Sequence, residues 1–265
     1  MTKDKDIVIT SAFRTPIGSF QGSLKDYKAT ELGTAVIKKC MEHSNLNGAE
    51  VDTVILGQVL QTGCGQNPAR QTAINAGINK DKTATTINQV CGSGLAAVTL
   101  GFNSLKLNDT NIVIAGGQES MTNSPHYLNY RIEKNLSEEK LKDSMLIDGL
   151  IDAYDDYHMG VTAENVAEKY QITRNDQDNF ALNSQKKAIK AINENKFKEE
   201  IIPIKLKDQK IFDKDEYPRS DTNLEKLSNL KTVFKENGTV TAGNASGLND
   251  GAAAVTLMNY KTSKD

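Results

Sequence analysis

The sequence predicts an α/β fold with a mostly helical insertion, on three observations. Short β-rich runs alternate with helical periodicities over the first third of the chain. The middle is charged, rich in Asn and poor in strand signals. A run of small residues near the end, Gly251 to Met258, returns to the strand texture of the start.

Taken in order, Asp6 to Thr10 reads as a strand around Ile7-Val8-Ile9. Leu32, Ala35, Val36 and Cys40 then recur at helical spacing behind a candidate N-cap at Thr30. Thr53 to Leu60 is a strand containing Val54-Ile55-Leu56, and Pro68 to Ala76 a short helix with Pro at its start. A strand at Thr83 to Val90, a helix at Ser93 to Leu107 and a strand at Ile112 to Ala115 complete an alternation that argues for mostly parallel strands. From about Ser120 to Asn237 long helical stretches dominate. One of them opens on the capping-box variant Thr173-Arg174-Asn175-Asp176 and runs to about Asn195. The expected division is therefore an α/β domain at 1–119, an inserted subdomain at 120–247 and a return strand at 248–265.

Composition narrows the function classes. With 32 Lys and Arg against 34 Asp and Glu in 265 residues, the net charge is −2, which lacks the basic excess of a nucleic-acid binder. No apolar run is long enough to span a membrane. The start, Met1-Thr2-Lys3-Asp4-Lys5, carries no signal-peptide pattern, so the expected compartment is the cytoplasm. Three cysteines at irregular spacing, without Cys-x-x-Cys, and three histidines point to neither a disulfide scaffold nor a zinc site. A functional cysteine here would act as a thiol.

The helix from Ser93 carries Leu95, Ala96, Ala97, Val98, Leu100, Phe102, Leu105 and Leu107 around most of its circumference. Such a helix is expected to be covered on nearly every side. Immediately before it stands Gln89-Val90-Cys91-Gly92-Ser93-Gly94, in which a strand ends, a cysteine occupies the turn and glycines allow tight backbone. That is the layout of a nucleophile elbow, with a helix N-terminus beside the side chain to favour thiolate. Two other readings stand next to it. Cys91 could be a small core hydrophobe, or Gly92-Ser93-Gly94-Leu95-Ala96-Ala97 a G-x-G-x-x-A dinucleotide loop. The second requires an acidic residue after the next strand, and the nearest, Glu119, lies beyond two further glycines.

Asn88-Gln89-Val90-Cys91-Gly92-Ser93-Gly94 resembles the active-site segment of the thiolase family. Four further segments, in family order, carry the same resemblance: Gly63 to Arg70, Gly116 to Met121, Tyr157-His158-Met159-Gly160 with Thr162 to Ala167, and Gly238 to Ala253. The resemblance implies a thiolase-like fold, with a mixed five-stranded sheet, helices on both faces and an inserted loop subdomain. It also implies a second, C-terminal half, which is absent from this sequence. The implied chemistry is condensation of two acyl-CoA molecules, or the reverse thiolysis, through an acyl-cysteine. His-Met-Gly at 158–160 is similar to the short-chain branch that forms or cleaves acetoacetyl-CoA, the acetyl-CoA C-acetyltransferases. A broad-range 3-ketoacyl-CoA thiolase and an inactive module retaining CoA binding or dimerisation are the alternatives.

Residue by residue, the resemblance makes Cys91 the acyl acceptor. It places His158 and Met159, with Leu150, beside the pantetheine and acyl pocket, and Arg219 at the nucleotide end of CoA. Phe234, Ala242 and Ser246 would line the pantetheine tunnel. Lys226 departs from a common family serine and is given no role. No cofactor or metal is implied, since coenzyme A is a substrate. The implied partners are acetyl-CoA, coenzyme A and acetoacetyl-CoA, with a homo-oligomer or a complementary C-terminal half, and no nucleic acid or membrane. The family's tetramer contacts would fall at Asn129 to Asp143.

The remaining candidates read as structural. Cys40 lies on the apolar face of its helix, Cys64 sits in a glycine-rich turn, His43 ends a helix and His126 stands in a turn. The family's G-H-P histidine, C-x-G cysteine and N-E-A-F asparagine have no counterpart here, so weak or absent turnover by this chain alone is expected.

Overall fold

A computed structural model describes residues 6–132, 134 and 137–264. Met1 to Lys5 and part of the Asn129 to Asp143 segment lie outside the described residues. The chain opens with β1 (Ile7–Arg14), β2 (Gly18–Ser19), α1 (Ala29–His43), β3 (Thr53–Gly57) and α2 (Pro68–Ala76). It continues through β4 (Thr83–Ile87), α3 (Ser93–Lys106), β5 (Ile112–Ser120), β6 (His126–Tyr127) and β7 (Lys142–Asp143). Then follow α4 (Met159–Lys169), α5 (Arg174–Asn193), β8 (Ile204–Lys205), β9 (Ile211–Phe212), α6 (Leu224–Ser228) and β10 (Asn249–Asn259). Among the described residues no helix is long and apolar enough to cross a membrane.

The chain forms two compact units. The first comprises residues 1–125, 200–216 and 249–265, the second 126–199 and 217–248. This division differs from boundaries at 119 and 247, chiefly because 200–216 packs with the first unit. Ile202, Ile204 and Phe212 are buried in the core under α1, and Arg14 forks onto both Asp215 oxygens and reaches Glu200.

In the first unit the sheet order is β1-β10-β5-β3-β4, with β2 paired to β10. β3 is parallel to β4 and β5, while β10 is antiparallel to both of its long neighbours. The sheet is mixed because the late return strand inserts between β1 and β5 rather than adding at an edge. Each face is covered by helix. Leu32, Val36 and Cys40 of α1 and Ala69 and Ala73 of α2 pack on Val54, Leu56 and Ile114. On the other face Ala97 and Leu105 of α3 meet Ile55, Val113, Ala115 and Leu257. Successive residues of β3 therefore feed opposite cores, which is why that strand reads as an unbroken apolar run.

Three local expectations change. The α1 N-cap is Lys28 rather than Thr30, two residues earlier, where the Lys28 amide donates to Glu31 Oε2 at 2.8 Å, the glutamate half of a capping box. β4 ends at Ile87, because Val90 takes φ +49° and turns the chain out of the sheet. β5 runs on through Gly116 and Gly117, where a Cβ on Gly116 would come within 2.0 Å of the Ala253 carbonyl oxygen; glycine lets β10 close against it.

In the second unit the capping box at Thr173 forms as the sequence suggests. The Thr173 hydroxyl donates to Asp176 at 2.6 Å and accepts the Asp176 amide at 3.2 Å. The unit also contains a buried carboxylate. Glu164 on α4 accepts the Thr239 and Val240 amides and the Thr239 hydroxyl at 2.7 to 2.9 Å, fixing the 239–240 segment to the helix. Hydrogen bonds from Thr239 and Val240 outweigh burial and hold its carboxyl below the ordinary glutamate value.

Candidate active site

Cys91 sits on the turn between β4 and α3, and its side chain is exposed. The turn is built by Ser93, the buried first residue of α3. Its hydroxyl donates to the Val90 carbonyl at 2.6 Å and accepts the Gln89 amide at 2.8 Å, while the Val90 amide donates to Asn88 Oδ1 at 2.9 Å. These bonds hold Val90, a β-branched residue, at φ +49°. Such a conformation costs on the order of 1–3 kcal/mol and persists only where the surroundings over-determine it, as they do around functional side chains.

Below the turn three glycines meet. A Cβ on Gly57 would lie 2.5 Å from the Ser93 carbonyl carbon, and one on Gly117 would lie 3.3 Å from Gly94 Cα. A side chain on Gly57 would lift the first turn of α3 off the sheet and one on Gly117 would crowd it, so the end of β3 must be glycine for Cys91 to stand where it does.

The thiol opens on a cavity of about 510 Å³ whose lining includes Arg14, Gln58, Gly94, Glu119 and Asp250. Asp250 is buried and fully engaged, accepting from the Ser120 hydroxyl and from the Thr122 amide and hydroxyl at 2.6 to 3.3 Å. Glu119 accepts the Val59 amide at 2.8 Å and the Leu60 amide at 3.2 Å. Burial pushes its carboxyl up, the two amides pull it down and Asp250 pushes it up again, for a net rise. A buried relay runs behind this wall, in which the Thr72 hydroxyl donates to Gln118, Gln118 to Gln58, and Gln58 to the Leu60 carbonyl. Gln118 thus has a structural task in this chain.

The other two cysteines are elsewhere. Cys40 is fully buried in the α1 core, and burial pushes its thiol up. Cys64 is half-buried in a separate cavity of about 210 Å³, where it accepts from Gln58 Nε2 at 3.4 Å; burial raises it too. His43 ends α1 with its ring edge-on to Phe13, and His126 lies in β6, 3.8 Å from Asp143. Among the described residues no group of three or more His, Cys, Asp or Glu is placed to hold a metal.

The remaining sequence candidates lie in the second unit, and two of them, His158 and Phe234, form a ring stack. His158 caps α4, accepting the Gly160 amide on Nδ1 at 2.9 Å, and its ring stacks on Phe234 at 4.7 Å with the planes 19° apart. Gly160 is required there, since a Cβ would meet the Phe234 ring at 2.2 Å. Met159 follows His158 and is partly exposed. Leu150 closes a single π-helical turn, and its neighbour Ile151 bridges to His158. Phe234 and Ala242 flank a second bridge, Thr232 to Thr241. Ser246 is exposed and donates to the Gly247 carbonyl at 3.3 Å. Arg219 lines a different cleft, with Gln185, Lys186 and Lys190 of α5. Sequence reasoning gave no role to Gly57 or Glu164, placed Ser93 in the elbow without its hydroxyl's task, and weighed Glu119 only as the acid of a dinucleotide loop. For Gly57 the signal was present, a glycine closing an apolar strand; a structural serine, or a carboxylate that binds backbone amides, has no sequence signature.

Comparison with known proteins bears on the family and the fold. The family model described as "Thiolase, N-terminal domain" matches residues 7–261. An acetyl-CoA acetyltransferase of Pseudomonas aeruginosa is 52% identical over 265 residues, covering 98% of this chain and 67% of that protein. A probable acetyl-CoA acyltransferase of Staphylococcus epidermidis is 49% identical over 263 residues, 97% of this chain and 67% of its own length. The crystal structure of the Bacillus anthracis acetyl-CoA acetyltransferase superposes with a TM-score of 0.93 at 40% identity, covering 98% of this chain and 66% of that one. The chain thus spans about two thirds of the length of the relatives it matches.

Proposed function

This chain belongs to the thiolase family, and on that premise we propose that it serves acetyl-CoA acetyl transfer, with Cys91 as the residue that takes the acetyl group. The observation that carries the reading is the elbow itself: an exposed thiol on a strained turn, two residues ahead of a helix N-terminus, open to a cavity of about 510 Å³. The Cys91 sulfur attacks the thioester carbonyl, the acyl carbon–sulfur bond to coenzyme A breaks, and coenzyme A leaves as its thiol once it takes up a proton. A helix N-terminus is a favourable place for the negative charge that develops in this step.

In the same reading His158, Met159, Leu150, Phe234 and Ala242 form the acyl and pantetheine contacts, Ser246 supplies a hydroxyl to the pantetheine and Arg219 meets the nucleotide. The sequence contains neither a Gly-His-Pro nor a Cys-x-Gly segment. We assign to this chain the acyl-accepting step, and to groups outside this sequence the proton transfers that complete condensation or thiolysis.

Intact mass spectrometry with and without acetyl-CoA tests the proposal. One added acetyl group, mapped to Cys91 and absent from Cys91→Ala, is the expected result. No adduct on the folded chain would remove the acyl-acceptor role, and thiolysis by this chain alone at the rate of a whole acetyl-CoA acetyltransferase would remove the division of labour.

A further inference from the structure

We infer that Glu119 is a positioning residue for Cys91, acting through the end of β3. The inference takes from the acyl-transfer reading what the thiol does, and from geometry how Glu119 reaches it. Beyond Gln58, whose amide makes the last bond to β4 through the Ile87 carbonyl at 3.1 Å, β3 has run out of strand partners. The next two amides, Val59 and Leu60, go to the two oxygens of Glu119, at 2.8 and 3.2 Å. The carboxylate replaces a missing strand at this point and ties the end of β3 to the end of β5.

What it ties down is the support of the elbow. Gly57, two residues before Val59, is the surface on which Ser93 and Gly94 rest; a Cβ there would reach the Ser93 carbonyl carbon at 2.5 Å and the Gly94 nitrogen at 2.7 Å. Gly117, two residues before Glu119, supports Gly94 from β5. The path from Glu119 to Cys91 is therefore continuous. The carboxylate sets Val59 and Leu60, these set Gly57 against Gly117, and the two glycines set the first turn of α3 with its preceding thiol. Contacts this close transmit a displacement rather than absorb it.

The residue type supports the same conclusion. The two consecutive amides take one oxygen each, an arrangement that glutamate allows and glutamine, with a single acceptor oxygen, does not reproduce. Holding a carboxylate in the wall of a cavity is costly, as the upward push of burial on this group shows, and the amide pair offsets part of that cost.

The test is Glu119→Gln in the full chain, read by two reactions of Cys91. One is alkylation by iodoacetamide, which needs no acyl-CoA recognition; the other is acetylation by acetyl-CoA over a range of concentrations. The folded variant is expected to alkylate about tenfold more slowly, with the limiting acetylation rate reduced alike and the half-saturating acetyl-CoA concentration unchanged. A purely structural role would lower the thermal midpoint and leave both rates of the folded protein at wild-type values, and that result overturns the inference. If the wild type takes no acetyl group while Glu119→Gln still slows alkylation, the acyl-transfer reading falls and the positioning role stands. Should Glu119→Gln fail to fold, Glu119→Asp carries the test, because it keeps both oxygens on a stem one carbon too short to reach both amides. Slowed alkylation supports the inference there, and the wild-type rate overturns it.

Discussion

The Ser93 hydroxyl donates to the Val90 carbonyl at 2.6 Å and accepts the Gln89 amide at 2.8 Å, so one small side chain grips both sides of the turn that presents Cys91. Ser93→Ala removes the Gln89 amide's partner and one of two bonds to the Val90 carbonyl, which keeps the Ser93 amide at 3.1 Å, at a cost of about 1 kcal/mol. It also frees Val90 to leave φ +49°. The expected outcome is a lower thermal midpoint together with slower alkylation of Cys91, measured by calorimetry and by iodoacetamide labelling. Normal labelling in a destabilised but folded Ser93→Ala would show that the staple serves stability alone.

The second unit should weaken in acid through Glu164. Its folded carboxyl lies below the ordinary value of 4.5, because hydrogen bonds from Val240 and Thr239 outweigh burial. A depressed carboxylate contributes stability in full above the unfolded value, and loses it as pH falls through the folded one. Urea unfolding followed through Tyr170, which lies in this unit, is expected to weaken steeply below about pH 4.5 in the wild type. Glu164→Gln should be less stable at pH 7, and flatter across the acid range. Parallel pH curves for the two proteins would exclude Glu164 as the acid-sensitive group.

How much of this was legible in the sequence depends on how local each cause is. α2 was readable to the residue because Pro68 and Gly77 bracket it, and the Thr173 capping box because both partners sit within four residues. The elbow was legible through Cys91 and its glycines. What could not be read were features set by distant segments. The return of 200–216 to the first unit depends on Arg14 meeting Asp215 and Glu200, and the length of β5 on the approach of β10 to Gly116. The task of Glu119 depends on amides 59 and 60 positions away along the chain. Periodicity carries no information about such pairs.

Substrate contact and thiol chemistry should separate by mutation. Phe234 stacks on His158 at 4.7 Å and fills the space left by Gly160, in a unit that does not contain Cys91. Phe234→Ala removes the stack, worth ~1 kcal/mol, so the half-saturating acetyl-CoA concentration for Cys91 acetylation should rise severalfold. Alkylation of Cys91 by iodoacetamide should stay at the wild-type rate. Equal losses in both reactions would place Phe234 in the support of the thiol rather than in acetyl-CoA binding.

The apolar circumference of α3 calls for cover on nearly every side, and in this chain one side alone is covered, leaving an apolar face open. One stripe, Ser93, Ala97, Gly101 and Leu105, packs on the sheet. Leu95 is 74% exposed and Leu107 71%, with Leu100 and Phe102 also open to solvent. Three large apolar side chains on α3 and a fourth at its C-cap expose apolar surface of the kind that soluble monomers seldom leave uncovered. The chain on its own is therefore expected to bind a hydrophobic dye and to self-associate as its concentration rises, both falling in a Leu95→Gln, Leu107→Gln double variant. Neither leucine belongs to the buried stripe, so the variant should keep the wild-type thermal midpoint. Dye binding and sedimentation measured side by side decide the matter: a dye-negative monomer at all concentrations would mean that this face needs no cover, and loss of the midpoint in the double variant would mean that these leucines hold the fold.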